Sequence, residues 1–338
     1  MCLSLSDAQA QNSWTGPRNV VWESKLNDRI SFLADSLCEG RGIGTRGGVE
    51  ASFHLMRIFG KSGIRPIGPS YAHHVWAGNG IVGHNIIGFI PGARESDIAA
   101  GEFKGRQQDP YHWHGKKEAS RYVIVGAHYD GLGRINGKTY PGADANASGV
   151  IAMTSLAEMF QARKTLGWSY PYSFIFVAFD GYQQQLAGSR YLWQQIETGQ
   201  LADPVTGETI SPEKIALMVN IDQIGTSLTP VSTREDYLVM LGNETLAKGR
   251  QARLGQCNRF FGIDLELCYD YYGSKNFTEI FYKLSDQRVF VEHRIPAVLF
   301  TSGITMNTNR TWDRPESLNL TVLKKRIWLI FHWLENVL

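Results

Sequence analysis

The sequence predicts a single α/β domain built on a central, mixed but mostly parallel sheet with helices on both faces. Three observations carry this. Short continuous apolar runs, rich in β-branched and aromatic residues, recur along the chain as in strands buried on both faces. They alternate with stretches whose apolar residues fall at helical spacing, the pattern of helices crossing over a largely parallel sheet. No internal repeat and no linker divides the 338 residues.

The elements follow in order. Helical spacing covers 24–37 and 50–62, joined by the glycine-rich segment Cys38-Glu39-Gly40-Arg41-Gly42-Ile43-Gly44. A strand at 85–90 (NIIGFI) stops at Pro91-Gly92. The polar and aromatic stretch 102–121 has no clean period and reads as a surface insertion. Strands are predicted at 122–127 (YVIVGA), 173–179 (SFIFVAF), 215–221 (IALMVNI), 237–241 and 296–300 (PAVLF). Helices are predicted at 148–160, 186–196, 244–261 and 318–338.

Composition narrows the function classes. An apolar share of 43% with 20% charged residues lets a core form without staples. A net charge of +2 gives no electrostatic reason to expect nucleic acid or an anionic membrane surface as partner. No apolar run reaches the roughly 18 residues needed to span a bilayer. Residues 1–22 read as a tail ahead of a domain at 23–338. Ala8-Gln9-Ala10 has the small-x-small form of a secretory cleavage site, without the basic start and long apolar stretch that precede one. A truncated signal peptide, and hence a secreted or periplasmic protein, is preferred over a meaningless tail. The four cysteines (Cys2, Cys38, Cys257, Cys268) include no Cys-x-x-Cys pair, so a structural zinc knuckle is not expected. Cys257 and Cys268 are either a short-loop disulfide or two buried thiols.

In sheets of this class functional residues gather just beyond the carboxyl ends of the strands. After YVIVGA comes His128-Tyr129-Asp130. A ligating imidazole needs its second nitrogen held by an acceptor, and Asp130, on the same side of the chain, would do so. Next comes a tight loop entering a helix, Pro141-Gly142-Ala143-Asp144-Ala145-Asn146-Ala147-Ser148-Gly149, whose Asp144 is either a ligand or an N-cap. After IALMVNI comes Asp222. One histidine and two aspartates plus water make a tetrahedral zinc site. His293, His112 and His114 are lone histidines, more simply surface residues than ligands.

The ordered blocks AHYDGLG, PGADANASGV, FVAFDGYQQQLAGSRY, VNIDQIG and SDQRVF, with LADSLCEGRGIGTRGG upstream, resemble the co-catalytic zinc aminopeptidase family. That family includes bacterial secreted aminopeptidases, glutamate carboxypeptidase and, by relation, glutaminyl cyclase. The resemblance runs from about Leu26 to the C-terminus. It implies a first zinc on His128, Asp144 and Asp222, with Asp130 orienting His128 and Asp144 bridging to a second zinc. It also implies a cis bond at Asp144-Ala145, and Ser285-Asp286 as a helix cap near the pocket.

The chain departs from the pattern where the second metal and the base belong. A Glu-Glu pair is replaced by Tyr182 at the general-base position and Gln183 at the ligand position, and a late histidine by Asn309. Asp180 is read as structural. A phenol of pKa about 10 stays protonated near neutrality and donates where a carboxylate would accept. Neutral amides suit hard cations better than zinc. One zinc at most is therefore expected, with peptidase activity lost or weak and a pocket left for peptide N-termini or a protein partner. The alternatives are an active zinc aminopeptidase with an unusual site and, third, a glutaminyl cyclase-like transferase.

Overall fold

The computed structural model describes residues 16–93, 121–227, 232 and 234–337. The predicted insertion up to residue 120, His112, His114, Cys2 and the cleavage-like segment lie outside these residues, while Arg121, its last predicted residue, opens a strand. In chain order the elements are α1 (Glu23–Ala34), α2 (Arg46–Lys61), β1 (Arg65–Pro66), β2 (Ala72–Trp76), β3 (Val82–Ile90) and β4 (Arg121–His128). The small hairpin β5 (Arg134–Ile135) and β6 (Lys138–Thr139) follows, then α3 (Gly149–Thr165), β7 (Tyr172–Phe179), α4 (Ala187–Glu197), β8 (Ile215–Ile221) and β9 (Tyr237–Leu241). The chain closes with α5 (Arg253–Phe260), β10 (Glu266–Cys268), α6 (Lys275–Tyr282), α7 (Gln287–Glu292), β11 (Ala297–Thr301) and α8 (Leu320–Asn336).

The main sheet runs β1-β3-β7-β4-β8-β11-β9-β10, with β2 also paired to β3. Its centre, β7-β4-β8-β11, is parallel, while β3 on one side and β9 on the other join antiparallel. The register sets His128 opposite Phe179 and Ile221 opposite Phe300. The four central strands therefore end side by side, and His128, Asp180, Asp222 and Ser302 emerge along one edge.

Alternation along β4 divides the core. Val123, Val125 and Ala127 pack with α3 and α8, whereas Tyr122 and Ile124 pack with α4 and α7 on the other face. Helix α3 is buried on nearly every side, because α2, α8 and the sheet all pack on it. Residues ahead of α1 also pack on the body: Val21 is buried and the Arg18 guanidinium donates to His332 at 3.0 Å.

One local expectation changes, and one open alternative is decided. The helix predicted at 244–261 is only α5; its first half forms short turns at Asn243–Thr245 and Lys248–Arg250. The Thr245 hydroxyl donates to the carbonyls of Gly242 and Ala297, a local bond that competes with helix propagation. Cys257 and Cys268 remain thiols, and Cys257 donates to the His332 carbonyl. No helix among the described residues is long and apolar enough to cross a membrane.

Candidate functional site

His128, the last residue of β4, is buried at the parallel edge. Its Nδ1 donates to the backbone carbonyl of Asp130 at 3.0 Å, and its Nε2 faces Asp222 Oδ1 at 3.5 Å. The Asp130 carboxylate stands 3.6 Å from Nδ1 and accepts the Tyr182 amide at 2.9 Å. Asp130 thus orients His128 mainly through its carbonyl, while its side chain anchors the next strand end. Burial pushes the His128 pKa down, but Asp130 and Asp222 outweigh it and lift it to about 10. The Tyr182 ring lies over the imidazole with centroids 4.1 Å apart. Its hydroxyl donates to the Leu284 carbonyl at 2.8 Å, so the phenol is held across the site as a plate. Burial and then Asp222, Asp286 and Asp130 push its pKa upward.

Asp144 does not join this pair. It is fully buried, and its Oδ1 accepts from Ser148 Oγ at 2.9 Å and Gly225 N at 2.8 Å, while Oδ2 accepts from the Thr226 hydroxyl. Burial raises its pKa, and these donors oppose that. The carboxylate expected to bridge two metals is thus engaged inside the loop. Of residues 141–150 only Ala145 is not buried, and it offers a methyl group. The cis peptide falls at Ala145–Asn146, one bond later than expected. Asp313 fixes the loop from below, accepting the amides of Asp144 at 2.9 Å and Ala145 at 3.0 Å. Asn146 ties the strand ends together: its Nδ2 donates to the carbonyls of His128 and Ile221, and its Oδ1 accepts the amides of Gly149 and Gln223.

Two buried arginines hold the loops through backbone carbonyls, with no salt bridge to a carboxylate among the described residues. Arg41 donates to the carbonyls of Leu33, Tyr129, Pro141 and Gly142, all within 2.8 Å. Arg326 does the same for Ile224, Thr226 and Tyr237. Neither role was legible in the sequence, although the glycine-rich setting of Arg41 was a signal of close backbone approach. A Cβ on Gly40 would sit 2.5 Å from the Tyr140 carbonyl, and the residue has φ of 74°.

The remaining predicted residues scatter. Gln183 and Asn309 are exposed, and no hydrogen bond joins either to His128 or Asp222 among the described residues. His293 stacks on Trp193 at 4.3 Å. Asp180 is structural as read, accepting from His84 N, Tyr129 OH and Gly181 N. Ser285 accepts from Asn220 Nδ2 at 2.8 Å, but Asp286 does not cap α7 through its side chain. It is instead a fully buried carboxyl, and burial, opposed by His128 and the Ser189 hydroxyl, pushes its pKa up to about 7. Sequence reasoning missed it because a helix-start aspartate ordinarily caps.

His128 and Asp222 face each other, Tyr182 covers the imidazole, and Asp144 is engaged by three donors elsewhere. No group of three or more His, Cys, Asp or Glu among the described residues is arranged to hold a metal ion. The residues as placed do not fit the three-ligand zinc that the sequence led us to expect. What the edge offers instead is a pocket beside Tyr182. Its lining joins Asp222, Gln223, Ser285 and Thr301 to Leu241, Tyr271, Phe281, Leu299 and Ile304.

Comparison with known proteins places this architecture. The chain resembles the LapA aminopeptidase of Legionella pneumophila with a TM-score of 0.67 at 15% identity, covering 96% of this chain and 74% of that one. It resembles a zinc aminopeptidase from Bacillus subtilis with a TM-score of 0.51 at 17% identity over 76% and 50% of the two chains. A glutaminyl cyclase from an Acidobacteriales bacterium matches with a TM-score of 0.59 at 13% identity over 93% and 94%. These identities establish a shared fold, and no curated protein sequence matches the chain significantly. The profile of peptidase family M28 matches residues 111–333, most of the domain and every strand end that builds the site. On that match, the chain belongs to peptidase family M28.

Proposed function

We propose that this chain uses the M28 fold as a recognition pocket, capturing the free amino terminus of a peptide with an apolar first side chain and not hydrolysing it. One observation carries the reading. With the Tyr182 plate over His128, Asp222 is the charged residue of a pocket lining that is mostly apolar, with Gln223, Ser285 and Thr301 as its polar members. An α-ammonium would approach the Asp222 carboxylate from the pocket side, Oδ1 being buried and turned to His128 Nε2 at 3.5 Å. The first side chain would lie against Leu241, Tyr271, Phe281 and Leu299. Exposed Tyr272 and Phe277, in ring contact with each other and with Tyr271 and Phe281, extend the apolar path outward.

Hydrolysis needs a base that accepts a proton from water. The Tyr182 phenol donates instead, and among the described residues no three His, Cys, Asp or Glu converge for zinc, the metal of the Bacillus relative. A second reading, a weak peptidase, is favoured by Asp286 alone, whose buried carboxyl is poised near neutrality. The small-x-small segment Ala8-Gln9-Ala10 supports export from the cytoplasm.

Titration calorimetry with a short leucine-initiated peptide and its acetylated form tests the proposal. The free amino terminus is expected to bind at least about tenfold more tightly, with the difference lost in Asp222→Asn. Equal binding of both forms refutes it. Cleavage of the free peptide with zinc supplied, abolished by Asp286→Asn, would establish the peptidase reading. Cyclisation of a glutamine-initiated peptide, read by mass, would establish transferase chemistry.

A further inference from the structure

At the sheet edge formed by β2 and β3, His74 lies directly opposite His84. The backbone of His84 faces away from β2: its amide donates to Asp180 at 2.9 Å and its carbonyl accepts from the Tyr129 hydroxyl at 3.0 Å. The two histidines are therefore a non-hydrogen-bonded cross-strand pair, the class whose side chains approach most closely. Their ring centroids are 4.9 Å apart with planes inclined at 50°. No protein hydrogen bond occupies either ring among the described residues. His73, the neighbour on the opposite face, instead has its Nε2 against the Ile67 carbonyl at 2.9 Å.

We propose that His74 and His84 form a surface chelate for a divalent transition-metal ion, with Cu²⁺ preferred. The spacing carries the argument. A metal–nitrogen bond of about 2.1 Å, with each ring centre roughly 1.1 Å behind its nitrogen, sets two imidazoles at bond angles of 90–109° about 4.5–5.2 Å apart. The observed separation falls inside that window. Imidazole pairs suit copper, nickel and zinc, and copper leads the affinity order. His74 is exposed, so water completes the coordination. This site is separate from the pocket and stands or falls independently of the peptide-binding reading.

Titration of the full chain with CuCl₂ in a non-coordinating buffer tests it by calorimetry, with tryptophan emission followed in parallel. Trp76, 68% exposed and two residues along the same face as His74, is the reporter expected to be quenched. His74→Ala is expected to weaken the copper event by at least the ~10–100-fold that follows loss of a ligand's hydrogen-bond partner. His73→Ala is expected to leave it unchanged. Because His74 is a surface side chain, its variant should unfold at the parent temperature. An unaltered copper isotherm in a folded His74→Ala protein overturns the proposal, and so does a loss that is equal in His73→Ala.

Discussion

Asp144 shows how one side chain's partners decide what a loop can do. Its two oxygens accept from Ser148, Gly225 and Thr226, so an acid that reads as a ligand serves as the internal buttress of its own loop. Thr226→Val removes one donor from a fully buried carboxylate and is expected to cost about 1–3 kcal/mol, measured as a lower urea midpoint at unchanged slope. The same geometry predicts the fate of a repaired site. Tyr182→Glu, Gln183→Glu and Asn309→His together are expected to retain no more zinc after dialysis than the parent, with both compared in a His74→Ala background. Adding Ala145→Asp, at the open position of the loop, is the change expected to raise retention. Metal analysis decides both. His128, Asp144 and Asp222 could be found in the sequence because each follows a buried strand or opens a helix. That Asp144 turns inward was not legible, since its donors sit 4, 81 and 82 residues away and no local pattern announces them.

Between elements, the contact of α1 with α2 carries a titratable group away from the pocket. His54 stacks on Phe32 at 4.0 Å, and burial, then Arg29, Arg57 and Lys61, push its pKa down to about 4. The unfolded chain takes up the proton first, near pH 6.5, so this contact stabilises fully above that pH. The stabilisation is lost as pH falls from 6.5 toward 4 and changes no further below. His54→Leu is expected to flatten this limb of the stability profile, read as thermal midpoints between pH 7 and 4. Long apolar strands were readable at this scale: 215–221 and 237–241 match β8 and β9 to the residue. Strands β1, β2 and β10 were not, because short edge strands take their pairing from the neighbour and carry little pattern of their own. Helices α6 and α7, at eight and six residues, are likewise too short for a periodic signal.

Across the whole molecule, Arg41 and Arg326 join segments far apart in sequence at the parallel edge. Arg41→Met removes the donor from the carbonyls of Leu33, Tyr129 and Pro141, while Gly142 keeps the Ala147 amide, and is expected to lower stability by several kcal/mol, at about 1–3 kcal/mol for each buried group that finds no water. Chemical denaturation checks this. The fold class was legible because strand and helix alternation is a property of every segment at once. The pocket was not, because residues between 182 and 304 meet only once the sheet order is set.

One wall of that pocket differs from the others. Helix α6 contributes Phe281, yet none of its residues is buried, whereas the strands behind Leu241 and Leu299 are. A segment with so few anchored side chains unfolds locally at little cost compared with the sheet. Amide protons of 275–282 should therefore exchange with deuterium well before those of β9 and β11, and a guest held against Phe281 should slow them first. Selectivity would then reside in the pliable side of the cleft, over a floor too firmly tied to adapt.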